Sequence, residues 1–250
     1  MTTLNFEHIM RNITPALEGV LFYGDPHSNW EPLLKSVDQH PPHTVIILGD
    51  LIDKQDKDNQ KAHQTARDVL DNLCRKGIDV RLISGNHDVD SPAVYDLVFK
   101  ELTNFLFDGG VIEIGPNKLR IAGLGGVFRG KCWYPYKADE TAKVKYHSPE
   151  DLLVATRETA RFRTGIPLRH RNTIFPSTVR QFQSKRADVL ITHEGPTTHE
   201  RGFPVVDNLA ADLGAKLIVY GHHHTPAEAC LKNHAIAIRG MGKAEVWKPE

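Results

Sequence analysis

Apolar residues in this chain gather in short unbroken runs, and most runs stop at a glycine followed by an acidic, imidazole or amide side chain. GVLFYGD (19–25), HTVIILGD (43–50) and DVRLISGN (79–86) are rich in Val, Ile and Leu. Runs without polar alternation read as strands buried on both faces. Between them, 29–40 and 58–76 have helical length; Ala66, Val69, Leu70 and Leu73 make an apolar stripe on the second, and Gly77 is placed to end it. A further helix is predicted over 92–106. VIEIG (111–115), LRIAGLGGVF (119–128), ADVLITH (187–193) and KLIVYGH (216–222) read as strands. HAIAIRG (234–240) and AEVWK (244–248) read as an antiparallel edge pair. Strands alternating with helices define an α/β chain.

The stretch 128–186 breaks the pattern. It has no clear strand periodicity and holds thirteen Lys/Arg against five Asp/Glu, with Trp133, Tyr134, Tyr136, Tyr146, Phe162 and Phe175 interleaved. It reads as a basic, aromatic-containing insertion or cap, with some helix over 149–163, within a single domain spanning 1–250. Two readings of its charge stay open. One is a solvated basic surface. The other is an anion-steering cap, since a one-signed cleft concentrates charged substrate. For the second, Arg129, Lys131 and the arginines at 161, 163, 169 and 171 are the candidates, and Trp133, Tyr134 and Tyr136 are candidates either to stack on a base or ring or to fill the cap's small core.

Composition changes this picture little. The 250 residues carry 31 Lys+Arg and 31 Asp+Glu, so overall charge points to neither nucleic acid nor membrane. Cys74, Cys132 and Cys230 are odd in number and far apart, which disfavours a disulfide framework or a cysteine zinc site and favours a reducing compartment. Cys74 falls on the apolar side of its helix and is expected in the core. The N-terminus lacks a signal-peptide core, and no run approaches the roughly 20 apolar residues of a membrane span. The expectation is a soluble, cytoplasmic chain.

The chemistry sits where the strands stop. GDPH (24–27), GDLID (49–53), GNHD (85–88), THEG (192–195) and GHHH (221–224) each follow a predicted strand. Open α/β sheets bind ligands beyond the carboxyl ends of their strands. Asp25, His27, Asp50, Asn86, His193, His222 and His224 together supply oxygen and imidazole donors suited to borderline divalent cations. Seven donors exceed the needs of one tetrahedral ion and suit two adjacent ions sharing a carboxylate. In an extended chain successive side chains alternate, so His222 and His224 face one point and His223 faces away, as a spacer.

These five motifs, in this order, resemble the calcineurin-like metallophosphoesterase superfamily, whose pattern is D-x-H, G-D-x-x-D, G-N-H-[DE], a lone His and G-H-x-H. The resemblance covers roughly 20–126 and 187–248. It implies a four-layer αββα sandwich of two mixed sheets flanked by helices. It also implies that Asp25, His27 and His224 hold one metal, that Asn86, His193 and His222 hold another, and that Asp50 bridges them. His87 would donate to the phosphoryl or leaving oxygen, with Asp88 fixing its orientation and Asp53 supporting the ligands from behind. The metals implied are Mn²⁺ and/or Fe, with Zn²⁺ as the further option.

The implied activity is dinuclear-metal-dependent hydrolysis of a phosphomonoester or phosphodiester, by in-line attack of a metal-bridging hydroxide on a small molecule or nucleotide. The basic segment keeps a nuclease acting on DNA or RNA open as an alternative. A non-catalytic metal-binding scaffold is the alternative of another class, disfavoured because every motif position is filled. Protein serine/threonine phosphatases of the superfamily carry GDxVDRG and GNHE, where this chain has GDLIDKQ and GNHD. Lys54 therefore stands where a phosphate-clamping arginine would be, and a lysine is a point charge without the bidentate fork.

Overall fold

The computed structural model describes residues 5–136 and 143–249. Its strands are β1 (Val20–Tyr23), β2 (Thr44–Ile47), β3 (Asp79–Leu82), β4 (Val111–Ile114), β5 (Leu119–Leu124), β6 (Val189–Thr192), β7 (Leu217–Tyr220), β8 (Ala227–Leu231), β9 (Ile236–Gly240) and β10 (Val246–Trp247). The helices are α1 (Phe6–Ile13), α2 (Glu31–Gln39), α3 (Gln60–Arg75), α4 (Pro92–Asp96), α5 (Pro149–Ala155), α6 (Pro176–Arg180) and α7 (Pro204–Leu213).

Two mixed sheets form, in the orders β10-β1-β2-β3 and β4-β5-β6-β7-β9-β8. The period-two geometry of each strand sorts its apolar residues into layers. Val45 and Ile47 of β2 face α2 and α3 in one core, with Leu33, Val37, Leu70 and Leu73. Ile46 of the same strand joins Phe22, Val189, Ile191, Leu217 and Val219 in a second core between the sheets. Leu190 and Ile218 face the other way, onto Val206, Leu209 and Leu213 of α7. Helix, sheet, sheet, helix is thus the layer order, as the resemblance implied. Because both strand faces are covered, the runs read as continuously apolar.

Three local expectations are corrected. HAIAIRG and AEVWK do not pair with each other. β9 lies parallel beside β7 with β8 antiparallel on its outer side, while β10 crosses to the first sheet and pairs antiparallel with β1 through Phe22↔Trp247. The crossing lets Trp247 pack on Phe22, ring centroids 5.2 Å apart. The helix expected over 149–163 ends at Ala155, where Thr156 turns extended and its hydroxyl donates to the Leu152 carbonyl; beyond it, TRETARFR offers no apolar stripe. The helix expected over 92–106 is α4 followed by one wider turn, Leu97–Glu101, after which the chain runs in turns.

The 128–186 stretch has a small core of its own, Cys132, Leu152, Ile166 and Phe175. It is also tied to the main body: Phe128, Ile174 and Phe182 belong to the core under α7, and Val127 bridges Thr173. No described helix is long and apolar enough to cross a membrane.

Candidate metal centre

Parallel pairing of β1, β2 and β3 places the GDPH, GDLID and GNHD loops at one end of the first sheet, and parallel β6 and β7 deliver THEG and GHHH to the same region. The backbone there is unusual. Asp25, His27, Asp50, His222 and His224 have φ of +31°, +44°, +52°, +68° and +53°. Left-handed conformations at non-glycine residues cost of order 1–3 kcal/mol each and persist only where surroundings enforce them. Here a hydrogen-bond web does so. His27 N donates to the Asp50 carbonyl (2.9 Å), His222 N to Asp25 Oδ2 (2.7 Å) and His87 N to Asp50 Oδ1 (2.7 Å). Gly85 and Gly221 are required by close approach: a Cβ on Gly85 would stand 2.6 Å from the His193 ring and against Asp50, and one on Gly221 would stand 2.5 Å from Asp25 Oδ1.

The side chains form two clusters with one member in common. In His27, Asp50 and His224, and again in Asp50, His193 and His222, the donor atoms lie within 4.8 Å of one another. Asp50 Oδ2 is 3.6 Å from His27 Nε2 and 3.4 Å from His193 Nε2. Asp25 stands between the clusters, with Oδ2 3.7 Å from His224 and Oδ1 3.5 Å from His193 Nδ1. Asn86 Oδ1 is 3.1 Å from His193 Nε2. His193 Nδ1 is 2.8 Å from the Leu48 carbonyl, which orients the ring and leaves Nε2 for the cluster.

Cations suit this donor set. Asp25 Oδ1 and Asp50 Oδ2 are buried without any hydrogen-bond donor, a costly state for a carboxylate unless a positive charge answers it. Burial pushes the Asp25 carboxyl up to about 8, with His193 opposing. Burial also opposes charge on His193, yet the Asp50 and Asp25 carboxylates outweigh it and hold the imidazolium to about 10. Burial drives His27 down to about 4 and His222 to about 3, so both are neutral and able to ligate. Metal binding at such a cluster displaces protons.

Around the clusters the placement differs from expectation in several respects. Asp88 was expected to orient His87, but its carboxylate accepts the backbone N–H groups of Gly85 (2.7 Å), Asp50 (3.0 Å) and Leu51 (3.1 Å). The carboxylate against the His87 ring is that of Asp90, 2.6 Å from Nδ1. Asp53 does lie behind a cluster residue, 3.9 Å from His27 Nδ1. It also pairs with Lys243 at 3.0 Å, a cation that sequence reasoning missed because the β9–β10 crossing was not foreseen. Lys54 is exposed and enters no ion pair among the described residues. Lys131 is exposed too, and Trp133 packs edge-on against Phe128 (5.3 Å), whereas Arg129 and Tyr134 line a cavity touching Asn86 and His222. His223 does face away from the clusters, but not to solvent: it stacks on His199, centroids 3.7 Å apart, and lines that cavity. Of the cap arginines, Arg163 is held bidentately by Asp96 at 2.8 and 2.6 Å, so its charge is already answered.

The insertion reaches the site through Asn172. Its Nδ2 donates to the Gly85 carbonyl (2.5 Å), while its Oδ1 accepts from Arg129 (3.1 Å). No sequence signal marked it.

A four-layer αββα sandwich with a paired imidazole–carboxylate centre at its strand ends defines a class of protein built to hold cations there. The chain belongs to the calcineurin-like phosphoesterase family, whose sequence profile matches residues 19–226 and so runs through the 128–186 stretch. An uncharacterized protein of Haemophilus influenzae is 36% identical over 206 residues, covering 82% of this chain and 83% of that one. The fold is shared with TT1561 of Thermus thermophilus, at 12% identity and a TM-score of 0.55, covering 92% of this chain and 93% of that one. It is also shared with a dimetal phosphatase from Danio rerio, at 13% identity and a TM-score of 0.51, covering 91% and 88%. Membership of the family implies two metal ions, and the two clusters offer the donors for them.

Proposed function

We propose that this chain hydrolyses a phosphomonoester or phosphodiester bond in a small molecule or nucleotide, in the cytoplasm, with Mn²⁺ or Fe as the native metals. The observation that carries the reading is the buried Asp50 shared by two imidazole-bearing clusters, with the half-buried His87 at their rim. Asp25, His27 and His224 would hold one ion and Asn86, His193 and His222 the other, with Asp50 serving both. Bound there, two cations supply Lewis acidity toward the phosphoryl oxygens and a water acidic enough to attack near neutral pH.

The protein's own groups do the rest. His87 stands with its ring 5.4 Å from that of His27. Asp90 occupies Nδ1, so Nε2 is the nitrogen left to donate to a phosphoryl or leaving oxygen. The Asp90 carboxylate fixes the tautomer and the orientation of the ring, as in other carboxylate–histidine pairs. Asp88 holds the Asp50 and Gly85 backbones together, so the two metal loops keep their spacing during turnover. Lys243 pairs with Asp53 behind His27, so it steadies that carboxylate and its charge is answered there.

The test is hydrolysis of p-nitrophenyl phosphate and bis-p-nitrophenyl phosphate with added Mn²⁺. Activity on either supports the reading, and the preferred ester separates monoesterase from diesterase. A protein with both metals bound and activity on neither is a scaffold. The nuclease alternative requires salt-sensitive binding of DNA or RNA, and absence of binding at low salt removes it.

A further inference from the structure

Beside the second cluster lies a cavity of about 350 Å³, lined by Arg129, Tyr134, Glu194, Arg201, Phe203 and His223, with Asn86 and His222 at its inner edge. Nothing in the metal chemistry requires these surrounding groups. The aromatic wall is exposed where a surface would ordinarily be polar. Tyr134 is 48% and Tyr136 39% exposed, and with Val154 they are the exposed large hydrophobic residues among those described. Both rings pack edge-on against buried Phe203, at 5.2 and 6.2 Å between centroids, and they stack on each other at 6.0 Å. The Tyr136 hydroxyl donates to the Glu200 carbonyl at 2.8 Å, pinning the wall to the loop that carries Arg201. Tyr134, held between the anchored Tyr136 and buried Phe203, has little rotamer entropy left to lose.

Opposite the rings lie two guanidinium groups, Arg129 and Arg201, and one buried carboxylate, Glu194, whose Oε1 is already engaged by the Phe128 N–H. Arg129 is half-buried, donates through Nη2 to Asn172, and leaves Nε without a protein acceptor. Arg201 stands at the mouth, exposed, with its Nε 3.6 Å from the equally exposed Glu200 carboxylate. A partly desolvated guanidinium, able to hold two phosphate oxygens at once, suits a phosphate better than a lysine would. A cavity of this volume falls at the small end of ligand sites, enough for one compact organic group.

We propose that this cavity seats the organic part of the substrate and selects a nucleotide bearing a phosphate beyond the scissile one, its base stacked on Tyr134 and its second phosphate on Arg129 and Arg201. The assignment rests on the phosphoesterase reading for the position of the scissile phosphate. An aliphatic phosphoester would leave the aromatic wall bare, and a sugar monophosphate would leave the Arg129 Nε without an acceptor. The stacked ring and the second anion together call for a nucleoside polyphosphate or a dinucleotide.

Equilibrium binding to the Mn²⁺-loaded protein tests this without turnover, using α,β-methylene-ADP, glycerol 3-phosphate and a short single-stranded oligonucleotide as probes. The nucleotide analogue should bind at least about tenfold tighter than glycerol 3-phosphate, and Tyr134→Ala should weaken the analogue roughly tenfold, the scale of one base–aromatic stack. Tyr134→Phe, which keeps the ring, should restore most of that loss. Arg129→Gln should narrow the preference for the analogue over glycerol 3-phosphate. Equal loss for both small probes on Tyr134→Ala overturns the proposal, as does tighter binding of the oligonucleotide than of the analogue. If the binding preference holds while no phosphoester of any kind is hydrolysed, the catalytic reading falls and the pocket assignment stands.

Discussion

His87 Nδ1 lies 2.6 Å from Asp90 Oδ2, so the imidazole at the rim of the metal clusters is oriented from three residues downstream and not by the adjacent Asp88. The two carboxylates therefore separate into distinct tasks, and their substitutions should fail in different ways. His87→Ala should lower turnover by roughly 10²–10⁴-fold, the range for a lost general acid, with metal content unchanged. Asp90→Asn should give a smaller loss, roughly 10–100-fold, as expected for a group acting through a histidine, again with metal content unchanged. Steady-state kinetics with metal analysis on the same samples checks both; loss of metal from His87→Ala would mean that the histidine is a ligand.

Asp88 accepts three backbone N–H groups from two different loops while fully buried. Asp88→Ala should therefore act on stability first. Hydrogen bonds to a charged acceptor contribute about 1.5–3 kcal/mol each and do not add fully. A drop of about 3 kcal/mol or more in urea unfolding of the metal-free protein is expected. An unchanged midpoint would show that the web has another anchor.

Asn172 joins the insertion to the Gly85 carbonyl next to Asn86. Asn172→Ala should reduce affinity for one ion more than the other, because Asn86 stands against His193 in only one of the two clusters. Competition with a chelating dye, read as two binding steps, would show one step displaced. A uniform shift of both steps would contradict the asymmetry.

Burial holds the His170 imidazole down to about 4 from its ordinary 6.5, and the neighbouring positive charges of Arg129, Arg169 and Lys131 add to it. The folded value is below the unfolded one, so between them the unfolded chain binds more protons. The neutral ring's contribution is complete above about pH 6.5 and is lost as pH falls toward about 4. Stability of the wild type should decline over that window relative to His170→Gln, by at most about 1.4 kcal/mol per pH unit. Parallel unfolding curves for the two proteins across pH 4–6.5 would show that the ring is not the titrating group.

The legible part of this protein was the part written in local pattern. Continuous apolar runs such as TVII and LIVY exposed the buried parallel strands, and the chemistry at their ends could be collected because parallel strands must all finish on one side. What stayed hidden depends on how the chain travels between elements. β8 is a half-buried edge strand whose AEACL pattern carries little signal. β10 is two residues long and is placed by Trp247 packing on Phe22, a contact more than two hundred positions apart in sequence. That same crossing delivers Lys243 to Asp53. Asp90 escaped notice because the Asp next to a histidine looked the natural partner, whereas the tight turn His87–Val89 brings the third residue back onto the ring. Cys74, expected in the core from its helix position, is exposed.

The proposed chemistry requires Asp50 to serve two cations at once, and elemental analysis after equilibration with Mn²⁺ tests this most directly. The wild type should carry two ions per chain, and Asp50→Asn should lose both together. A wild type that saturates at a single ion, or an Asp50→Asn protein that keeps one site at full affinity, would contradict it.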